Sequence, residues 1–452
     1  MDKSVLWSLR LGYSAKQSDD IRKLGIKTFL EQSFEAVPME EMPTFIKNTP
    51  KTRAEKKAQS DAAKAEGDDC FKEYQLLQKK NLQDFKVWWI EQMATSNRPL
   101  REKMTVFWHN HFVVSSKKVN MLYWLFEHNN LLREEAFGNF RELTKKAIRT
   151  NAMLYYLDNT NNRKGNINEN LSRELLELFT LGVGNYSEDD IKNGAKALAG
   201  LNIGENGGQY LLKQQDNDPI FYFGKTGLYR LDALVDVIFE QPEVPYLLTR
   251  KILQWFITDL PDEKLVGHYG DYFRQQDFEI KPLLLKIFTE EALKEPTGTK
   301  IKDPLLFLMQ LAEALDLKNV TPEMINTFAR QQGLDLYAQY NVKGWAGGRD
   351  WLTVQTYRQR INVSGGLCNG RLPDGFKDPN VKKIIPKWNP EMNNLEIIAD
   401  FKQRFLVVSN PELQEDLEKI LPPNFNSDPE NTISSISKLF EFIIQSPEFQ
   451  LM

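Results

Sequence analysis

The chain has 452 residues, 41% of them apolar, with nine Trp and 27 Phe. That suffices for one large core or two to three ordinary ones at about 150 residues per domain, and it excludes global disorder. Lys plus Arg (58) nearly cancel Asp plus Glu (62), so the net charge of −4 gives no electrostatic footprint for nucleic acid or an anionic membrane. Cys70 and Cys368 stand alone and far apart, which excludes a disulfide framework or a thiolate zinc site as the organising principle.

Helical periodicity dominates from the start. The first residues lack the apolar core of a secretory leader, and no apolar run approaches about 18 residues, so no membrane span is expected. As written the chain reads as cytoplasmic, with export open through a removed leader or a partner. Ser18 and the acidic residues after it predict one amphipathic helix over 18–34. Residues 51–93, rich in Lys, Ala, Glu and Gln, predict one long helix or two stacked ones. Further helices are expected at 98–114, 119–134, 138–157 and 168–181, followed by one that Ser187 caps and Gly200 stops.

Between 201 and 228 the pattern breaks into short apolar runs separated by glycines, the signature of a small β-hairpin or irregular excursion. Helical patterns then resume, in LDALVDVIFEQ, VPYLLTRKILQWFI, KPLLLKIFTEEAL, DPLLFLMQLAEAL and PEMINTFARQQG. A long surface loop is expected over 365–390, and helices at 394–406, 410–420 and 429–446 close the chain. The predicted fold is mainly all-α: a helical half over 1–200, the excursion over 201–228 and a second helical half over 229–452, together forming one compact unit.

Three segments could carry chemistry. In FWHNHF, Met104, Phe107, Trp108, His111 and Phe112 recur at helical spacing, so His111 belongs on the apolar side and His109 points roughly the other way. His111 is then either a core histidine with a satisfied hydrogen bond or a general acid/base or metal ligand. In NENLSRELLELFTLG, residues 168–182, a 100° wheel gathers Leu171, Leu175, Leu176, Leu178 and Phe179 on one side, and Glu169, Asn170, Arg173, Glu174 and Glu177 on the other. The charges form either a surface ladder worth about 0.2 to 0.5 kcal/mol per pair or a cavity wall in which burial and Arg173 set two carboxyl pKa values apart. In NVKGWAGGRDW, residues 341–351, glycines around Trp345, Arg349 and Trp351 predict a tight loop, either a structural corner or a platform for a flat ligand such as a sugar. FGKTG at 223–227 is not a phosphate loop, because Pro219 stands where that motif needs glycine.

FWHNHF, NENLSRELLELFTLGVGNYSEDDIKNGAKALAGL, NVKGWAGGRDWL and SPEFQLM, in this order and spacing, resemble the bacterial proteins grouped as domain of unknown function 1800, from about Ser4 to Leu451. The resemblance implies a mostly α-helical unit. It also implies a partner, since many members are encoded beside phosphatase- or sulfatase-like proteins of domain of unknown function 1501, several with twin-arginine leaders. Members commonly carry a His-Asp pair before a glycine-rich segment. Here Gln215 replaces the histidine and Asp216 matches the acid, which makes Asp216 a candidate binding residue without its partner. Gln339 and Tyr340 replace a usual Pro pair.

Two functional expectations follow. In one, the protein binds a protein partner or glycan and its His/Arg/Glu cluster is largely structural. In the other it is a hydrolase or lyase acting on a polysaccharide through His111, Glu174 and Glu177, with Arg173 beside them, Trp345, Arg349 and Trp351 near the mouth, and His111, Glu174 and Glu177 as candidate ligands of an unidentified metal. An open cavity lined by all three would favour chemistry, and a closed, mutually paired cluster would favour structure. If the carboxylates are buried on Arg173, its removal should lower the melting temperature markedly.

Overall fold

In the computed structural model, described over residues 2–35, 41–314, 320–371, 386–426 and 428–452, 22 α-helices enclose a common apolar core. That core draws side chains from Val5 near the N-terminus to Met452, and from both helical halves. The only sheets among these residues are two antiparallel hairpins, Leu201–Asn202 with Gln209–Tyr210 and Ile220–Tyr222 with Lys225–Gly227. The 201–228 excursion is thus two hairpins where the sequence suggested one. Among the described residues no helix is long and apolar enough to cross a membrane.

Glycines and caps redraw several predicted helices. Gly25, at φ +76°, divides the 18–34 segment into Ser18–Leu24 and Ile26–Ser33. Gly67, at φ +123°, separates Arg53–Ala65 from Asp68–Thr95, which pack on each other. Thr150 caps a new helix at Asn151–Tyr156, so the 138–157 segment is also two. Ser187 caps Glu188–Ala197 as the sequence indicated, and Asp190 completes a capping box with it. The helices Lys3–Leu11, Glu263–Gln275 and Val354–Cys368 were not anticipated. The last carries the chain through Cys368, so the loop expected from 365 begins later, and its residues 372–385 lie outside the described ones.

The SPEFQLM ending is a latch. Lys300 and Met452 exchange backbone hydrogen bonds, and Lys302 N–H donates to Gln450 O at 2.9 Å. The fully buried Lys302 ammonium donates to Phe449 O at 2.6 Å and lies 3.9 Å from the centre of the Phe449 ring. Arg360, also fully buried, donates to Lys302 O, Gln332 Oε1 and Gln450 Oε1 while stacking over Phe307. Each cation meets carbonyl oxygens or a π face, and the nearby Asp303 charge also favours the charged form of Arg360. Burial still disfavours the charge, and the Lys302 pKa is pushed well below its ordinary value.

Candidate functional site

The FWHNHF residues close the Pro99–His111 helix, whose first position suits proline because that N–H has no partner inside a helix. Apolar and polar positions alike are buried along it, so the helix is a central strut. His109 does point away from His111, but into protein. Its Nε2 accepts the Tyr337 N–H at 3.2 Å, and its ring meets Trp89 edge-on at 5.2 Å. Asn110, between the histidines, clamps the NVKGWAGGRDW loop. Its Oδ1 accepts the Trp345 N–H at 2.6 Å and its Nδ2 donates to Trp345 O at 3.2 Å. A Cβ on Gly344, at φ +80°, would collide with Asn110, so the approach of loop to helix requires glycine there.

His111 serves the end of the NENLSRELLELFTLG segment. That segment starts as an α-helix at Asn170–Glu174 and widens into a π-helical turn at Leu175–Thr180, where Leu181 N–H donates to Leu176 O, five residues back. The wider turn explains why a 100° wheel misplaces Leu178, which is only half-buried while Thr180 is buried. The last carbonyls of any helix lack partners of their own. Here His111 Nε2 donates to Phe179 O at 3.1 Å and Lys251 Nζ donates to Leu178 O at 2.9 Å. With Nε2 carrying the proton, Nδ1 is an acceptor, and it faces Lys251 Nζ at 3.3 Å. Burial, reinforced by the Lys251 charge, holds the His111 pKa well below the usual imidazole value, and burial brings Lys251 down to about 8.

Both side chains open onto a cavity of about 790 Å³, between the Val244–Phe256 helix and the GWAGG loop. Trp255, Trp345 and Trp351 supply indole surface to it, with Trp255 and Trp351 packed edge-to-face at 6.1 Å. Its charged lining is Lys251, Lys300, Lys343 and Arg349 against Asp259 and Asp350. Lys300, almost fully buried, is committed to Asp259 at 3.1 Å and to Gln254 O. Three cations therefore face one free carboxylate. The structure brings His111, Trp345, Arg349 and Trp351 to one cavity, as the motifs suggested. Lys251 and Trp255 were missed, although the i, i+4 spacing of lysine and tryptophan in KILQW, on a helix that also carries Leu248 and Ile252, was a usable sign.

The carboxylates lie elsewhere. Glu174 and Glu177 do not line this cavity, and Arg173 does not pair with them. It reaches Glu169 and Glu188, both at 3.1 Å, on a face where its side chain is 36% exposed. Of the two readings of these charges the structure shows the surface ladder, with Glu169 as the i, i+4 partner and Glu188, the first residue of the next helix, as the second. Burial and then the neighbouring Glu177 charge raise the Glu174 pKa, while Lys343 on the cavity rim and Arg173 lower it. Tyr186 donates to Glu177 at 2.9 Å. Among the described residues no three His, Cys, Asp or Glu side chains form a metal-binding group, and both nitrogens of His111 are already engaged. Asp216 lies on the hairpin excursion, accepting from Asp218 N–H and facing Lys164 at 3.6 Å, while Gln215 accepts from Arg230. That pair sits apart from the cavity lining.

A second cavity, of about 740 Å³ beside Trp88 and Arg101, gathers none of the motif residues, and its buried Glu102 is held by Arg133 at 2.7 Å.

A helical fold carrying these motifs in this order places the chain in a family. It matches the family model described as "Protein of unknown function (DUF1800)" over residues 5–451, and it belongs to that family. No curated protein and no solved structure matches it.

Proposed function

We propose that the protein binds an acidic glycan, with the tryptophan-walled cavity as its site. The observation that supports this reading most strongly is the lining itself: the partly exposed indoles of Trp255 and Trp345, backed by the buried Trp351, can stack on sugar rings, with Lys251, Lys343 and Arg349 in excess over Asp350 to receive carboxylates. Trigalacturonate should therefore bind saturably in isothermal titration calorimetry while maltotriose does not, and Trp345→Ala or Arg349→Ala should weaken binding at least tenfold. Failure of trigalacturonate to bind, or equal binding by both variants, would overturn the assignment.

The second reading, cleavage of a polysaccharide by Glu174 and Glu177, draws on the raised Glu174 pKa and on the link through Lys343 to the cavity rim. Release of reducing ends from polygalacturonate, lost in Glu174→Gln, would support it. A partnership with a protein of domain of unknown function 1501 rests on the family resemblance, and co-purification of the two chains tests it.

A further inference from the structure

Lys251 is unlike the other buried lysines. Lys103, whose pKa burial also lowers to about 8, donates to Leu9 O and Gly12 O and is sealed at 1% exposure; Lys302 is sealed by the C-terminal latch. Lys251 is half-buried and lines an open cavity. Its Nζ meets two neutral acceptors, Leu178 O and His111 Nδ1, and among the described residues it makes no ion pair with a carboxylate. A tetrahedral amine has four directions. One is the bond to Cε and two point to these acceptors, so the fourth is left for the cavity, carrying a lone pair when the amine is neutral.

We infer that Lys251 is a nucleophilic amine that forms a Schiff base with a carbonyl compound bearing a carboxylate, a 2-oxo acid or the open-chain end of an acidic sugar, held in this cavity. The inference rests on the anionic-ligand reading of the cavity. Arg349 and Lys343 in the same lining receive the carboxylate. With its pKa near 8, a substantial share of the side chain is free amine in mildly alkaline solution. The remaining charged groups of the cavity are Lys300 with Asp259, and Asp350.

In the reaction the Lys251 lone pair attacks the carbonyl carbon and the carbonyl π pair moves to oxygen. One proton from the nitrogen and one from solvent convert that oxygen to water. Water then leaves as the nitrogen lone pair closes the C=N bond, so that free amine, carbonyl and one proton become iminium and water. No oxidant or reductant is consumed.

The test treats the full chain with pyruvate and sodium cyanoborohydride at pH 8, followed by peptide mapping. The expected result is one dominant carboxyethyl adduct, on Lys251, formed at least tenfold faster than the adduct with uncharged acetone and absent from a folded Lys251→Arg variant. No adduct, or labelling no greater than at exposed lysines such as Lys225 and Lys419, would overturn the inference. Trigalacturonate titration of the same samples separates the two ideas. Retained binding without an adduct removes the amine chemistry and leaves the cavity reading standing, whereas loss of binding in the parent protein removes both.

Discussion

The cavity and the C-terminal latch solve one problem in opposite ways. Lys251 and Lys302 each donate to a backbone carbonyl in surroundings that disfavour their charge, yet Lys302 is sealed under Phe449 while Lys251 opens onto about 790 Å³ of space. A lysine's chemistry therefore follows from what lies on its fourth side, a property of the packing around it. Three of the four histidines belong to the strut behind the cavity or pack on its end, His109 and His111 within it and His128 at Phe112 O; the latch has none. His109, His111 and His128 are all buried with pKa values pushed down by burial, His128 to about 4.

Acid should separate the two regions most strongly. In the unfolded chain these imidazoles take up protons near pH 6.5, and in the folded chain only at much lower pH. The stability they allow is thus complete above about pH 6.5 and is lost as pH falls toward 4, at about 1.4 kcal/mol per pH unit for each histidine. Hydrogen exchange at pH 5 should show the Pro99–His111 helix losing protection before the Lys300–Met452 contacts. Simultaneous loss would break the comparison.

Phe449→Ala comes next. It removes a fully buried ring and uncovers Lys302, and should cost about 3 to 5 kcal/mol in urea unfolding while leaving ligand binding by the folded fraction unchanged. A loss of affinity would mean that latch and cavity are coupled. Arg173→Ala should do least, shifting the melting temperature by less than about 1 °C, because both of its ion pairs are solvent-exposed.

The helical fold was largely legible, since apolar periodicity and caps such as Ser187 act locally. The breaks at Gly25 and Thr150 were harder, because each also fits a continuous helix. His111 in its aromatic stripe and the glycines around Trp345 marked two sides of what the structure shows as one cavity. Arg173 reads both as part of a surface ladder and as part of a cavity wall; its Glu169 partner was visible in the spacing, whereas Glu188 belongs to the following helix, which no wheel of its own helix contains. Lys251 was passed over because a lysine beside Arg250 reads as a solvated face, whereas the Leu178 carbonyl of the π-helical turn and His111 Nδ1 draw it inward.

Competitive labelling of lysines with acetic anhydride across pH tests the central contrast most directly. Lys251 should react in the folded protein with a midpoint near pH 8, while Lys302 stays unlabelled until the chain unfolds. A Lys251 midpoint at the ordinary lysine value of 10.5, or protection equal to that of Lys302, would contradict the account.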